Sequence, residues 1–376
     1  MMTTQVEAKR SIPFFNYRGA FAANEPAFVE TFRDVLQRGA FIQQRDLADF
    51  ERHLAEYLGV KHAFGVGNAT DGLIMCWRAA GLQAGDEVIV PSHTMVATAA
   101  AIHFAGGSPV LVDCGPDHLI DPNVIEAAIT PRTKAICPVQ LNGRTADMHR
   151  LAAIAERHGL YIIEDAAQAL GSKFDGRLAG TFGRAAAFSF YPAKLLGCLG
   201  DGGAVVTNDD AIAEKLLLLR DHGRAHSGEI ETWGLNSRLD NLQAAFLDLQ
   251  LKTYDEAVTY RRGLATRYHA RLADIDQLTL PPAPDADSRH FDVYQNFEIQ
   301  AERRDELRAF LQAHNVGTIV QWGGRAIHQN PKLGFTNPLP ATDRLFERCL
   351  MLPMNVMVTH DDVDYIADVI RQFYAR

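Results

Sequence analysis

From about residue 60 to about residue 210, short apolar segments alternate with longer Ala- and Leu-rich stretches of helical period. The pattern predicts strands at His62–Gly65, Glu87–Pro91, Pro109–Asp113, Ala135–Val139, Leu160–Glu164, Ala186–Phe190 and Ala204–Thr207. Between them it predicts helices that include Asp71–Ala80, Met95–Phe104, Asp147–His158 and Ala211–Arg220. Several strands are apolar at nearly every position, as in Val88-Ile-Val90 and Tyr161-Ile-Ile163. Strands buried on both faces read this way, so the expected core is an α/β arrangement, a mostly parallel sheet with helices on both faces.

Past Asp240 the rhythm changes. Leu242 to about Ala273 reads as one long helix, and the Pro-rich stretch 281–288 as a connector. A smaller α/β unit is expected after it. Its strands are Val293–Ile299 and Gly317–Gln321, and its helices lie near Asp305–His314, Asp343–Leu350 and Asp361–Tyr374. The expected division falls near 250, with residues 1–250 as a large domain and 251–376 as a small C-terminal one.

The 376 residues carry 37 Lys and Arg against 46 Asp and Glu, a net charge of −9. That balance argues against nucleic acid as the main partner, since phosphate backbones demand clustered cations. The five cysteines form no CxxC pair and are expected as reduced thiols. The longest apolar run, Met95–Phe104, is well short of the ~18 residues that span a bilayer. MMTTQVEAKRS has no apolar signal core, so the expectation is a cytoplasmic chain without a membrane partner.

In an open parallel sheet, ligands bind at the carboxyl ends of the strands. Asp165 follows one such end, where a buried acid needs a cationic partner or a capping role. No metal-ligand spacing accompanies it, and no metal is expected. Lys194 lies in Ser189-Phe-Tyr-Pro-Ala-Lys194-Leu-Leu, with no other charge until Asp201. An ammonium in apolar surroundings loses its proton more easily, and the neutral amine can attack a carbonyl. Gly65-Val-Gly67-Asn-Ala-Thr70 runs into a helix, and such small residues offer free N–H groups to a phosphate. A dinucleotide fingerprint competes for the same turn, but Thr70 stands where its third glycine belongs. A phosphate site, a reactive amine and a carboxylate on one sheet edge are the set that pyridoxal phosphate requires.

At this point the chain resembles the DegT/DnrJ/EryC1/StrS aminotransferases, from Ile12-Pro-Phe-Phe to the C-terminus. The motifs that carry the likeness include Asn68-Ala-Thr-Asp, Thr94-Met-Val-Ala-Thr, Asn142-Gly-Arg-Thr-Ala-Asp-Met, Ile163-Glu-Asp-Ala-Ala-Gln, Phe188-Ser-Phe-Tyr-Pro-Ala-Lys and Asn236-Ser-Arg-Leu-Asp-Asn-Leu-Gln. The resemblance implies fold-type I architecture and a covalent pyridoxal phosphate on Lys194, with pyridoxamine phosphate formed midway. It places Asp165 against the ring nitrogen and Gln168 against the ring hydroxyl. Backbone groups of Ala69 and Thr70, with Ser189, would hold the phosphate. Asn236 would reach the phosphate of a neighbouring subunit, which implies a homodimer with shared sites. Where the family often has a ring-stacking aromatic after Thr94, this chain has Met95, so stacking falls to His93 or Met95. Arg325 and His328, in Trp322-Gly-Gly-Arg-Ala-Ile-His328, are the candidate substrate contacts.

The implied reaction moves an amino group from an amino acid, expected to be glutamate, to a keto sugar carried on a nucleotide, by a ping-pong route. A ketocyclitol aminotransferase, a nicotinamide oxidoreductase and a catalytically silent sensory relative are the alternatives. Lys194, Asp165 and Gln168 together argue against the silent protein.

Overall fold

The computed structural model describes residues 10–376. Two helices precede the alternating region, α1 (Tyr17–Arg38) and α2 (Arg45–Leu58). Both stop at a glycine in the left-handed region, Gly39 and Gly59. The main sheet is built from β1 (His62–Val66), β2 (Glu87–Pro91), β3 (Ser108–Val112), β4 (Thr133–Ile136), β5 (Tyr161–Asp165), β6 (Ala185–Ser189) and β7 (Gly203–Thr207). Its order is β1-β7-β6-β5-β4-β2-β3. Strand β7 runs against both neighbours, while the pairs among β6, β5, β4, β2 and β3 are parallel. The expected mostly parallel α/β sheet is present. Val88, Ile89 and Val90 are each 0% exposed, as strands covered on both faces must be.

Helices α3 (Ala69–Ala79), α4 (Val96–Phe104), α5 (Met148–His158) and α6 (Asp210–Arg220) follow strand ends. Asn68, Asp147 and Asp209 cap α3, α5 and α6 by accepting from backbone N–H groups of the first turn. These caps set where each helix begins, and hence which residues face the sheet edge.

The helix expected over 242–273 is two, α7 (Asn241–Leu251) and α8 (Tyr254–Leu272), separated at Lys252 and Thr253. Helix α8 serves two cores. Tyr254 and Val258 pack with the main-sheet cluster, whereas Leu264, Tyr268 and Leu272 pack in the C-terminal cluster. The C-terminal unit holds a second sheet, ordered β8 (Leu278–Thr279), β9 (Phe297–Ala301), β10 (Cys349–Leu352). Around it lie α9 (Arg304–Ala313), α10 (Pro340–Arg348) and α11 (His360–Tyr374).

Three expectations are corrected here. Residues 317–321 form no strand; Ile319 alone bridges to Met351, and Trp322, Gly323 and Gly324 then turn through positive φ. The strand expected at 293–299 begins only at Phe297, because residues 293–296 are drawn out of the sheet by contacts with the main-sheet loops. The helix expected to end at Leu350 stops at Arg348, and Cys349–Leu352 is instead the strand that pairs with β9 at the end of the second sheet. Its apolar residues satisfy a helical or a strand period equally well.

Candidate active site

Lys194 lies in the turn that leaves β6, its N–H donating to the Tyr191 carbonyl at 2.8 Å. The turn is held from the C-terminal unit. Gln295 Nε2 donates to the Ala193 carbonyl at 2.8 Å, and Gln295 Oε1 accepts from Leu195 N–H at 2.9 Å. The Gln295 main chain is in turn tied to α8, where Arg261 Nη1 donates to the carbonyls of Gln295 (2.7 Å) and Tyr294 (3.0 Å). Burial lowers the Lys194 pKa to about 8, and the Asp165 charge partly offsets that shift. The amine is therefore available as a neutral nucleophile far more often than an exposed lysine.

Asp165 ends β5 and is 5% exposed. Its Oδ2 accepts from Thr98 Oγ1 at 2.7 Å, and its Oδ1 from Ala167 N–H at 3.1 Å. Thr98 Oγ1 lies 2.9 Å from Thr94 Oγ1, which places both threonines of Thr94-Met-Val-Ala-Thr98 in the support of this carboxylate. Burial raises the Asp165 pKa, opposed by the Thr98 bond, the Ala167 N–H and the Lys194 charge. A cation beside the carboxylate would restore its ionised state.

The turn after β1 forms an N–H cradle. Within the first turn of α3, the Asp71 N–H goes to Asn68 Oδ1 at 2.8 Å and the Gly72 N–H to the Asn68 carbonyl at 3.1 Å. The N–H groups of Ala69 and Thr70 are the ones left for an anion. Gly203, which opens β7, permits the close approach: a Cβ there would lie 2.7 Å from Ala69 N. Ser189 faces Gly203 across the β6–β7 pair, and its Oγ accepts from Tyr191 N–H at 3.3 Å. Ser237 braces the cradle by donating to Asp71 Oδ2 at 2.7 Å while accepting from Gly67 N–H at 3.0 Å.

Gln168 Oε1 accepts from Asn142 N–H at 2.8 Å and from Asn296 Nδ2 at 3.3 Å. Because the carbonyl end faces backbone N–H, the amide nitrogen is the end presented elsewhere. Asn142 takes φ +56°, a conformation asparagine tolerates. Its Oδ1 also accepts from Asn296 Nδ2 at 2.8 Å and Gln321 Nε2 at 2.7 Å, joining the two units beside Gln168.

The remaining candidates separate. His93 is corrected: it is 1% exposed, donates from Nδ1 to the His118 carbonyl (2.9 Å), and packs between Trp322 and Phe346. No face of its ring is open for stacking. Met95 is 48% exposed at the start of α4 and is the one that remains. His328 is corrected too, since Nδ1 lies 2.7 Å from Ser92 Oγ and Nε2 lies 2.9 Å from Asp343 Oδ1. Ser92 is fully buried, so this Ser-His-Asp row is a brace and offers no nucleophile to a substrate. Arg325 is exposed on the loop behind Trp322, and Asn236 is exposed beside inward-facing Ser237. Thr98, Asn142, Ser237, Gln295 and Asn296 were not predicted. Only Thr98 had a local signal, its place four residues after Thr94 where the chain enters α4 from the end of β2.

These residues fit pyridoxal phosphate: two free N–H groups beside Gly203, a supported carboxylate, an outward amide nitrogen and an amine of lowered basicity. The chain is 39% identical to a dTDP-3-amino-3,4,6-trideoxy-alpha-D-glucose transaminase of Streptomyces venezuelae, over 100% of this chain and 99% of the relative. It is 37% identical to a UDP-N-acetyl-3-dehydro-alpha-D-glucosamine 3-aminotransferase of Acidithiobacillus ferrooxidans, over 96% and 98%. The crystal structure of S. venezuelae DesV in complex with a ketimine intermediate superposes with a TM-score of 0.93 at 39% identity, covering 97% of this chain and 99% of that one. Residues 23–371 match the DegT/DnrJ/EryC1/StrS aminotransferase family model, and the chain belongs to that family as a pyridoxal-phosphate-dependent transaminase of fold type I.

Proposed function

We propose that this transaminase takes an amino group from glutamate and delivers it to the keto group of a nucleotide-linked sugar, at one site used by both substrates in turn. The observation that carries the reading is the lowered basicity of Lys194 opposite the buried Asp165, with the free N–H groups of Ala69 and Thr70 on the same sheet edge. The sugar class is supported by relatives named for dTDP- and UDP-linked sugars.

When bound, pyridoxal phosphate supplies a ring that stabilises negative charge on the carbon next to the transferred nitrogen. Asp165, held by Thr98, would pair with the ring nitrogen and favour its protonated form. Ala69, Thr70 and Ser189 would hold the phosphate, the Gln168 amide would face the ring hydroxyl, and Met95 would cover the ring. Lys194, with its lowered basicity, would hold and return the proton of the substrate carbon as general base and acid. Arg325 would meet the diphosphate of the sugar nucleotide.

Two copies share the site in this reading. Asn236 is exposed while Ser237 fixes its loop to the cradle, and Phe21, Phe32, Leu36, Phe41 and Ile42 leave an apolar surface open on and beside α1. The reading is tested by incubating purified protein with glutamate and a panel of dTDP- and UDP-linked keto sugars and detecting the amino sugar by mass. Borohydride reduction of the loaded protein should add the cofactor mass to the Lys194 peptide. An unaltered peptide would refute the lysine assignment, and failure of every keto sugar would refute the substrate class.

A further inference from the structure

We propose that Glu298 is a positioning residue of the transamination site: its carboxylate fixes Asn142, whose main-chain N–H sets the direction of the Gln168 amide. The inference rests on the transaminase reading above, in which that amide faces the cofactor ring hydroxyl. Glu298 lies on β9 of the C-terminal unit and is only 1% exposed. Three residues that meet its carboxylate, His93, His118 and Asn142, stand beyond the carboxyl ends of β2, β3 and β4. Those strands are neighbours in the main sheet, and ligands bind at that edge. One side chain of the second unit thus gathers three loops of the sheet edge.

A buried carboxylate is costly without donors, and here the donors are specific. Oε1 accepts from His118 Nδ1 at 2.8 Å and from Asn142 Nδ2 at 3.4 Å. Gln300 Nε2 donates to His118 Nε2 at 2.9 Å, which leaves the His118 proton on Nδ1, towards the carboxylate. Oε2 faces His93 Nε2 at 3.8 Å, and neither atom has a hydrogen bond among the described residues. The Nδ1 proton of His93 is held by the His118 carbonyl, so the neutral ring turns a lone pair towards Oε2. Asn142 carries the constraint onward. Its Oδ1 accepts from Asn296 Nδ2 at 2.8 Å and Gln321 Nε2 at 2.7 Å, so its amide nitrogen is the end that meets Glu298. With that side chain fixed at both ends, the Asn142 N–H holds Gln168 Oε1 at 2.8 Å. A residue that touches a ligand is only as precise as the shell that locks it.

If Glu298 acts through Gln168, its removal has nothing to act on once Gln168 is gone. Glu298→Leu keeps most of the bulk but leaves His118 Nδ1 and Asn142 Nδ2 without an acceptor. It should weaken pyridoxal phosphate binding by about tenfold, the worth of one buried hydrogen bond. It should also shift the visible cofactor band, which senses the surroundings of the ring hydroxyl. In a Gln168→Ala background the same change should weaken binding by less than about twofold and leave the band where Gln168→Ala alone puts it. Glu298→Gln keeps an oxygen for His118 and Asn142 and turns an amide N–H to the His93 lone pair. It should bring binding back to within about threefold of the parent, with the parent band. Asn142→Gly allows the positive φ and removes the same tie, so it replaces Glu298→Leu in the cycle if that variant does not fold. Losses that multiply in the double variant would overturn the inference. So would a Glu298→Leu protein that binds and absorbs like the parent, or a Glu298→Gln protein no better than Glu298→Leu. A loaded parent protein with no visible band overturns the transaminase reading itself, which is a different result.

Discussion

Gln295 grips the main chain on both sides of Lys194, donating to the Ala193 carbonyl and accepting from the Leu195 N–H. Lys194 is thus positioned by a residue about a hundred positions away in the chain, in a segment that α8 holds through Arg261. Gln295→Glu keeps the acceptor and loses the donor. It should lower kcat by about tenfold, and Gln295→Ala by up to about a hundredfold, since small misplacements of a reacting group cost that much. Steady-state kinetics with cofactor saturating would check this; unchanged kcat in both variants would show that the grip is not needed.

Lys194 itself is expected to be indispensable. Lys194→Ala should lose the visible band of the covalent cofactor and reduce turnover by at least about 10⁴-fold, through loss of both nucleophile and proton carrier. Absorbance and product formation measured on the same preparation decide it.

Burial disfavours the Lys194 ammonium, so its proton leaves near pH 8 instead of at the free-lysine value of 10.5. Reaction of the apoprotein with pyridoxal phosphate should therefore accelerate as pH rises through about 8 and level off above it. Asp165→Asn removes the anion that favours the ammonium, so its midpoint should move lower still. The pH dependence of band formation in the two proteins would contradict this account if the midpoints coincided or moved upward.

Thr98→Val should leave Asp165 Oδ2 without its donor, a loss of about 1–3 kcal/mol in the stability of the carboxylate form. The expected result is a kcat reduced about tenfold with little change in the Michaelis constants. An isosteric valine keeps the packing of α4, so thermal denaturation of the variant should remain close to that of the parent.

Gly203→Ala tests the cradle. The added Cβ would press on Ala69 N from 2.7 Å, and the backbone there has no flexible side chain to yield. A stability loss of about 1–3 kcal/mol is expected, with weaker retention of cofactor on dialysis. Retention equal to the parent would mean that the α3 N-terminus does not hold the phosphate.

The sheet and its edge were legible because each depended on local pattern. Val88-Ile-Val90 can be apolar throughout only in a strand covered twice, and Asn68 caps α3 from three residues away. Lys194, Asp165 and the Ala69–Thr70 turn each follow a strand, and parallel topology collects strand ends on one edge. His93 misled for the opposite reason. Its neighbours in sequence say nothing of Trp322 and Phe346, which close over its ring from the C-terminal unit. His328 likewise lies in a Gly-rich loop whose sequence gives no sign of Ser92 and Asp343, which stand at its two nitrogens.

The linear pattern of the chain was enough for the α/β core and for singling out Lys194, Asp165 and the Ala69–Thr70 turn as candidates, because helical and strand periods, caps and strand ends act over a few residues. What surrounds those groups came from folding. Gln295 on the Lys194 turn, Asn142 and Asn296 on Gln168, Ser237 on the cradle, and Glu298 on Asn142 all join segments distant in sequence. A hydrogen bond across such a distance depends on how the two units pack, and no short-range periodicity encodes it.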